Sequence, residues 1–196
     1  MCGITGLLHL DHAHAVPPRL LQTMTTTLRH RGPDDEGYLF VNTAGGEPQL
    51  LGGDATTPEL ALASISGFAP SQPYNLAFGF RRLAILDLSP AGHQPMRSAD
   101  GNCWLVYNGE IYNYRELRSE LQGQGYAFRS GSDTEVILAA YNAWGEACLD
   151  RFNGMWGLAL WDSYRQRLFC ARDRLGVKPF YYYWNGATFA FASEIK

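Results

Sequence analysis

The chain has 196 residues and a formal net charge of −3, with 46% hydrophobic and 18% charged residues. That is the composition of one ordinary globular domain, and a chain of this length buries roughly 70% of its unfolded surface without needing staples. Lysine and arginine are scattered rather than clustered, so neither nucleic acid nor an anionic membrane is expected as a partner.

Ile4, Leu7, Leu8 and Leu10 predict a buried first strand. This apolar start lacks a basic n-region and is too short to span a bilayer. Pro17-Pro18 opens a helix through Leu20, Leu21, Met24 and Leu28. The polar turn 31–37 leads into a strand over 38–41. Residues 44–73, rich in Gly, Pro, Ala and Thr, read as an insertion-like loop, with one short helix starting at Thr57-Pro58-Glu59. Such a segment serves as a lid, a partner surface or a surface excursion.

Two short strands are expected over 76–86, around Arg81-Arg82, and another over 104–107, with Asn108-Gly109 directly after it. Asn113 is placed to cap a helix over 114–122. Ser132 with Glu135 has the capping-box pattern and opens a helix through Val136, Ile137, Ala140 and Tyr141. The remainder is β-rich: strands over 155–161, 168–173 and 180–184, a hairpin turn at Asn185-Gly186, then a strand over 188–192. Strand, helices and then many adjoining strands indicate an α+β fold with antiparallel sheets covered by helices.

Cys2, Cys103, Cys148 and Cys170 form no Cys-x-x-Cys pair and have no zinc-like spacing with a histidine, so a reduced, cytoplasmic protein is expected. Asp11, His12 and His14 on a turn make a poor metal cage, and no metal site is expected. His93 reads as a loop residue. Tyr181-Tyr182-Tyr183-Trp184 reads as core and cross-strand packing.

Cys2 has a special position. Removal of Met1 would leave a thiol and a free α-amine on one residue, with ordinary pKa values of about 8.5 and 8. One residue could then supply both nucleophile and general base. Taken alone, a second-position cysteine is more often a small buried hydrophobe, and Asn-Gly alone is a commonplace turn. An acyl-transfer site also needs an oxyanion hole, which Asn108 and the Gly109 N–H could form.

The chain resembles the N-terminal glutaminase domain of asparagine synthetases, the class II glutamine amidotransferases with an N-terminal nucleophile hydrolase fold. The resemblance rests on Met1-Cys2-Gly3-Ile4-Thr5-Gly6, Arg29-His30-Arg31-Gly32-Pro33-Asp34, Arg82-Leu83-Ala84-Ile85-Leu86-Asp87 and Tyr107-Asn108-Gly109-Glu110-Ile111-Tyr112-Asn113. It continues through Gly131-Ser132-Asp133-Thr134-Glu135, Gly154-Met155-Trp156-Gly157-Leu158-Ala159 and Arg172-Asp173-Arg174-Leu175-Gly176-Val177-Lys178-Pro179. These blocks cover nearly the whole chain outside 44–73.

The resemblance implies a four-layer αββα sandwich of two antiparallel sheets flanked by helices, with residues 1–196 as one glutamine amidotransferase type 2 domain. It implies Cys2 as nucleophile and Asn108 with Gly109 as oxyanion donors. Arg82 would hold the glutamine α-carboxylate, leaving Arg81 as an exposed strand residue. Asp133, with Glu110 close by, would hold the α-ammonium, and Leu83, Ala84, Ile85 and Leu86 would line the pocket. The loop 172–178 reads as a structural polar network.

This half-reaction is expected to need no cofactor. In the family, ammonia passes to a C-terminal synthetase domain that activates aspartate with ATP and Mg. No Ser-Gly-Gly-x-Asp-Ser phosphate loop occurs here, and 193–196 lies about where the glutaminase domain should hand over. Two alternatives stay open: the glutaminase half of an asparagine-synthetase-like amidotransferase with another acceptor, and a non-enzymatic regulatory domain. A homodimer is a further option.

Overall fold

A computed structural model describes residues 1–195; Lys196, the last residue of the expected hand-over, lies outside them. The chain forms β1 (Gly3–His9), α1 (Pro18–Thr27), β2 (Asp35–Val41), β3 (Gln49–Leu51), β4 (Leu76–Arg82), β5 (Met96–Arg97) and β6 (Cys103–Ile111). Then follow α2 (Tyr114–Gly123), α3 (Asp133–Trp144), the single turn α4 (Cys148–Arg151), β7 (Gly154–Asp162), β8 (Arg167–Arg172), β9 (Tyr181–Trp184) and β10 (Thr188–Ala192). One antiparallel sheet has the order β3-β2-β4-β1-β10-β9 and the other β5-β6-β7-β8.

Three apolar clusters account for the layering. Leu21 of α1 packs with Leu7, Tyr38, Phe40 and Ala77 on the outer face of the six-stranded sheet. Ile4, Leu39, Phe78, Phe80 and Phe191 meet Trp104, Val106, Ala159 and Trp161 between the sheets. Leu105, Tyr107, Leu158 and Leu160 pack against Leu117 and Leu121 of α2 and Val136–Tyr141 of α3. The result is the expected four-layer αββα sandwich.

Strand alternation then decides which side chains can meet. Along β4, Leu76, Phe78 and Phe80 face the second sheet, so Arg82 shares that side, whereas Ala77 and Arg81 face α1. Arg81 is therefore not an exposed strand residue. It is 2% exposed and paired across the β2–β4 ladder with Glu36, Nη1 to Oε2 at 2.6 Å. The Glu36 carboxylate also accepts from Tyr38 Oη at 2.8 Å and from the Ala55 N–H at 2.8 Å.

Residues 44–73 supply that last donor and lie on the outer layer. A parallel bridge joins Gly52 to Ser64, short 3₁₀ turns cover Pro58–Leu60 and Ile65–Gly67, and Phe68 packs on Phe40 with ring centroids 5.2 Å apart.

Several local expectations are corrected. The stretch 76–86 is one strand ending at Arg82, then a loop, because β4 is paired on both sides only to that point. β2 begins at Asp35, inside the expected polar turn, because it pairs with Arg82. β6 continues through Asn108-Gly109 to Ile111, held by nine paired positions on β7, so the dipeptide is a strand segment. Asn113 does not cap α2; its side chain bonds the Arg151 carbonyl and the Asn153 N–H. Ser132 caps α3 at the Thr134 N–H, but Glu135 reaches past Ser132 to the N–H groups of Arg129 and Ser130.

Tyr181, Tyr182, Tyr183 and Trp184 are all exposed, because β9 is the sheet edge and the intersheet core ends at Phe189 and Phe191 of β10. The Tyr182–Phe189 stack, at 5.9 Å, keeps the cross-strand part of that expectation. His93 is buried, with Nδ1 2.7 Å from Asp35 Oδ2.

Glu36→Ala strands the Arg81 guanidinium without its counter-charge. We expect a loss of about 3–5 kcal/mol in urea unfolding, and a loss below about 1 kcal/mol would refute the assigned role of the pair.

Candidate active site

The same alternation that buries Ile4 between the sheets directs Cys2 there, just before the start of β1. Arg82 comes to that region at the end of β4, and Asn108 shares its side of β6 with Trp104 and Val106. The N-terminus of α3 closes the space with Asp133. Between them is a cavity of about 380 Å³, in the size range of small-ligand sites. Cys2, Arg82, Leu83, Ala84, Ile85, Leu86, Asn108, Gly109, Glu110 and Asp133 all line it. No residue of 44–73 does, which removes the support for a lid.

The Cys2 sulfur sits against the loop after β4. It is 3.4 Å from the Leu83 N–H and 3.6 Å from the Leu83 carbonyl oxygen. Burial pushes the thiol above its ordinary pKa, opposed by the Leu83 hydrogen bond and by the positive charges of the chain N-terminus, Arg82 and Lys178. Asn108 is 1% exposed, and its Nδ2 has no hydrogen-bond partner among the described residues. A buried amide donor without an acceptor is costly, typically by about 1–3 kcal/mol, and marks a place for an incoming oxygen.

Arg82 is buried and makes no ion pair among the described residues. Its Nη1 donates to the Ser89 carbonyl at 2.9 Å and its Nη2 to the Asp87 carbonyl, which fixes the guanidinium plane. Gly92 backs that plane so closely that a Cβ there would fall 2.1 Å from Arg82 Nη2. Asp87 ties the loop down, accepting from the Ser89 N–H at 2.8 Å and the Gly131 N–H at 2.7 Å. Burial pushes the Asp87 carboxyl up, but these bonds and the Arg82 charge hold it below its ordinary value.

Asp133 opposes Arg82 in charge. Its Oδ2 accepts from Tyr107 Oη and the Ile111 N–H, each at 2.9 Å. Burial nevertheless raises its carboxyl above the ordinary range, and nearby Glu110 pushes the same way. A cation brought into the cavity would favour its ionised form.

The cavity thus holds a thiol, a vacant amide donor, an unpaired guanidinium and a carboxyl in need of a cation. That set suits a zwitterionic amino acid presenting an acyl carbon to sulfur.

Three lining residues with titratable side chains were not anticipated: Tyr107, Asp87 and Lys178. All lie inside the quoted motif blocks, but only the fold shows that they converge. The loop 172–178 is a polar network as expected, with Asp173 accepting from the Val177, Lys178 and Trp156 N–H groups at 2.8, 2.9 and 3.2 Å. The turn residues Asp11, His12 and His14 are engaged separately: Asp11 Oδ1 accepts from the Ala13 N–H at 2.9 Å, His12 Nδ1 lies 2.9 Å from Thr43 Oγ1, and the His14 ring meets that of His9 at 4.6 Å. Among the described residues no group of three or more metal-ligating side chains converges, and no helix is long and apolar enough to cross a membrane.

Residues 67–196 match the family model of the glutamine amidotransferase domain. A putative glutamine-hydrolysing asparagine synthetase 2 of Methanocaldococcus jannaschii is 39% identical over 210 residues, covering all of this chain and 34% of that protein. Asparagine synthetase 3 (glutamine-hydrolysing) of Bacillus subtilis is 39% identical over 198 residues, covering all of this chain and 27% of that one. The chain therefore spans about a third of these curated relatives or less. In fold it is similar to glutamine phosphoribosylpyrophosphate amidotransferase from B. subtilis, with a TM-score of 0.76 over 98% of this chain and 42% of that one at 22% identity. The chain belongs to the glutamine amidotransferase domain family.

Proposed function

We propose that this domain hydrolyses glutamine to glutamate and ammonia through a thioester on Cys2, after removal of Met1. The observation that carries the reading is the convergence of the Cys2 sulfur and the unpartnered Asn108 Nδ2 in one cavity, with Arg82 and Asp133 lining the same space. Met1 also lines that cavity, and its amine donates to the Arg31 carbonyl at 3.2 Å. Its removal frees both the space and the α-amine of Cys2.

Arg82 grips the glutamine α-carboxylate, and Asp133, assisted by Glu110, takes the α-ammonium. Leu83, Ala84, Ile85 and Leu86 form the wall beside the side chain. The α-amine of Cys2 takes the thiol proton, and the thiolate attacks the carboxamide carbon. The oxygen becomes anionic and is held by Asn108 Nδ2 and the Gly109 N–H. The carbon–nitrogen bond breaks as the α-ammonium passes its proton to the departing nitrogen, which leaves as ammonia. Water then attacks the γ-glutamyl thioester, gives its proton to the same amine, and releases glutamate and the thiol. Every proton and electron pair comes from Cys2, its amine, glutamine and water.

The relatives named as glutamine-hydrolysing asparagine synthetases are about three or more times longer than this chain. In the same reading, the ammonia is passed to a synthetase domain that uses it with aspartate and ATP.

The test is glutamate release by Met1-free protein. Cys2→Ala is expected to abolish it, and Asn108→Ala to lower kcat by about 10²–10³-fold, the usual effect of one oxyanion donor. Arg82→Ala is expected to act mainly on KM. Turnover surviving in Cys2→Ala would overturn the nucleophile assignment.

A further inference from the structure

Lys178 lines the cavity, yet the mechanism above gives it no task. Its residue is 6% exposed, and among the described residues it makes no ion pair. Its one side-chain hydrogen bond there is to Met1 Sδ at 3.3 Å, and a thioether is a weak acceptor. A buried ammonium without a counter-charge costs several kcal/mol, so a purely structural reason for it is hard to find.

The backbone on either side is held firmly. Asp173 accepts from the Lys178 N–H at 2.9 Å and from the Val177 N–H at 2.8 Å, while Arg172 Nε donates to the Lys178 carbonyl at 2.7 Å. Arg172 Nη2 also donates to the Gly176 carbonyl, at 2.5 Å. The turn is thus gripped at both peptide groups of Lys178, and its side chain runs to the N-terminus of the chain.

We infer that Lys178 is a positioning residue for charge, its ammonium set beside the chain start so that the α-amine of Cys2 rests neutral and free to take the thiol proton. The inference rests on Cys2 being the nucleophile. Removing Met1 takes away the one side-chain acceptor that Lys178 has among the described residues and leaves its charge within electrostatic reach of Cys2, on whose thiol it already acts. A second positive charge there disfavours the ammonium form of the amine and favours the thiolate. The amine is thereby ready to accept the thiol proton.

Other charges act on the same point. From β4 comes Arg82; Arg31, after α1, donates through Nε to the Cys2 carbonyl at 3.0 Å and is paired with Glu194. Asp34 lies nearby, bonded to the Ala84 N–H at 2.9 Å. Tyr107 and Glu110 of β6 and Asp133 of α3 line the cavity opposite. Arg82 and Asp133 are committed to glutamine in the proposed complex, which leaves Lys178 as the cation free to act on the amine. Consistently, the Lys178 charge pulls the Cys2 thiol downward against its burial.

The test uses the full chain, shown by intact mass to lack Met1, with kcat and KM measured across pH. In Lys178→Met and Lys178→Gln the acid limb of kcat should move up by about one pH unit. Activity should be about tenfold lower near neutral pH and within about twofold of wild type above the limb, with KM unchanged. Lys178→Arg should restore the wild-type limb.

An equal loss at every pH, a change confined to KM, or an unmoved limb would each overturn the inference. A measurement that needs no variant is the titration of a ¹⁵N-labelled Cys2 α-amine in wild-type protein, expected below the ordinary value of about 7.7. A value at or above it would also overturn the inference. Failure of the underlying reading looks different, because it appears as turnover in Cys2→Ala.

Discussion

β1 is hydrogen-bonded on both sides, to β4 from Gly3 and to β10 from Thr5, so the start of the chain is fixed within a sheet rather than left to fray. With Ile4 committed to the intersheet core, Cys2 on the same side has one place to go: the gap where the two sheets end. The same parity carries Arg82 and Asn108 into that gap and sends Arg81 to the opposite face. A slip of one residue in β4 would exchange the two arginines, putting the one paired with Glu36 into the site. The register is set by large apolar residues, Phe78 and Phe80, that fit only between the sheets.

The second organising feature is unsatisfied charge. Elsewhere ions have counter-charges: buried Arg81 has Glu36, and half-buried Arg31 has Glu194. Around the cavity several groups go uncompensated among the described residues. Burial raises both the Cys2 thiol and the Asp133 carboxyl, Arg82 and Lys178 have no carboxylate partner, and Asn108 Nδ2 has no acceptor. In the proposed complex the deficits at Arg82, Asp133 and Asn108 are met by the carboxylate, ammonium and developing oxyanion of glutamine. The rigidity needed to hold such groups unpaired comes from both sheets and from the Asp87 clamp joining the loop after β4 to the turn before α3.

Much of this was legible in the sequence. The layered α+β class followed from the order of patterned segments, and the lining residues Cys2, Arg82, Asn108, Gly109 and Asp133 from motif blocks. What the sequence misstated was governed by tertiary pairing. Asn108-Gly109 has the local chemistry of a turn, but the long β7 partner keeps it extended. Arg81 carries no mark of burial in its own neighbourhood, because Glu36 is brought beside it by the β2–β4 register. The tyrosine-rich β9 is apolar enough for a core, yet strand order puts it at the edge. Lys178 looked like part of a loop network, and its backbone is, while its side chain reaches across to residue 1.

The central claim is that the chain start is the reacting group. Its most direct test is rapid acid quenching of Met1-free protein during glutamine turnover, followed by intact-mass and peptide mapping. The account predicts a γ-glutamyl adduct confined to Cys2, formed in step with a burst of ammonia and ahead of glutamate. An adduct on another residue, or ammonia and glutamate released together with no covalent species, would contradict it.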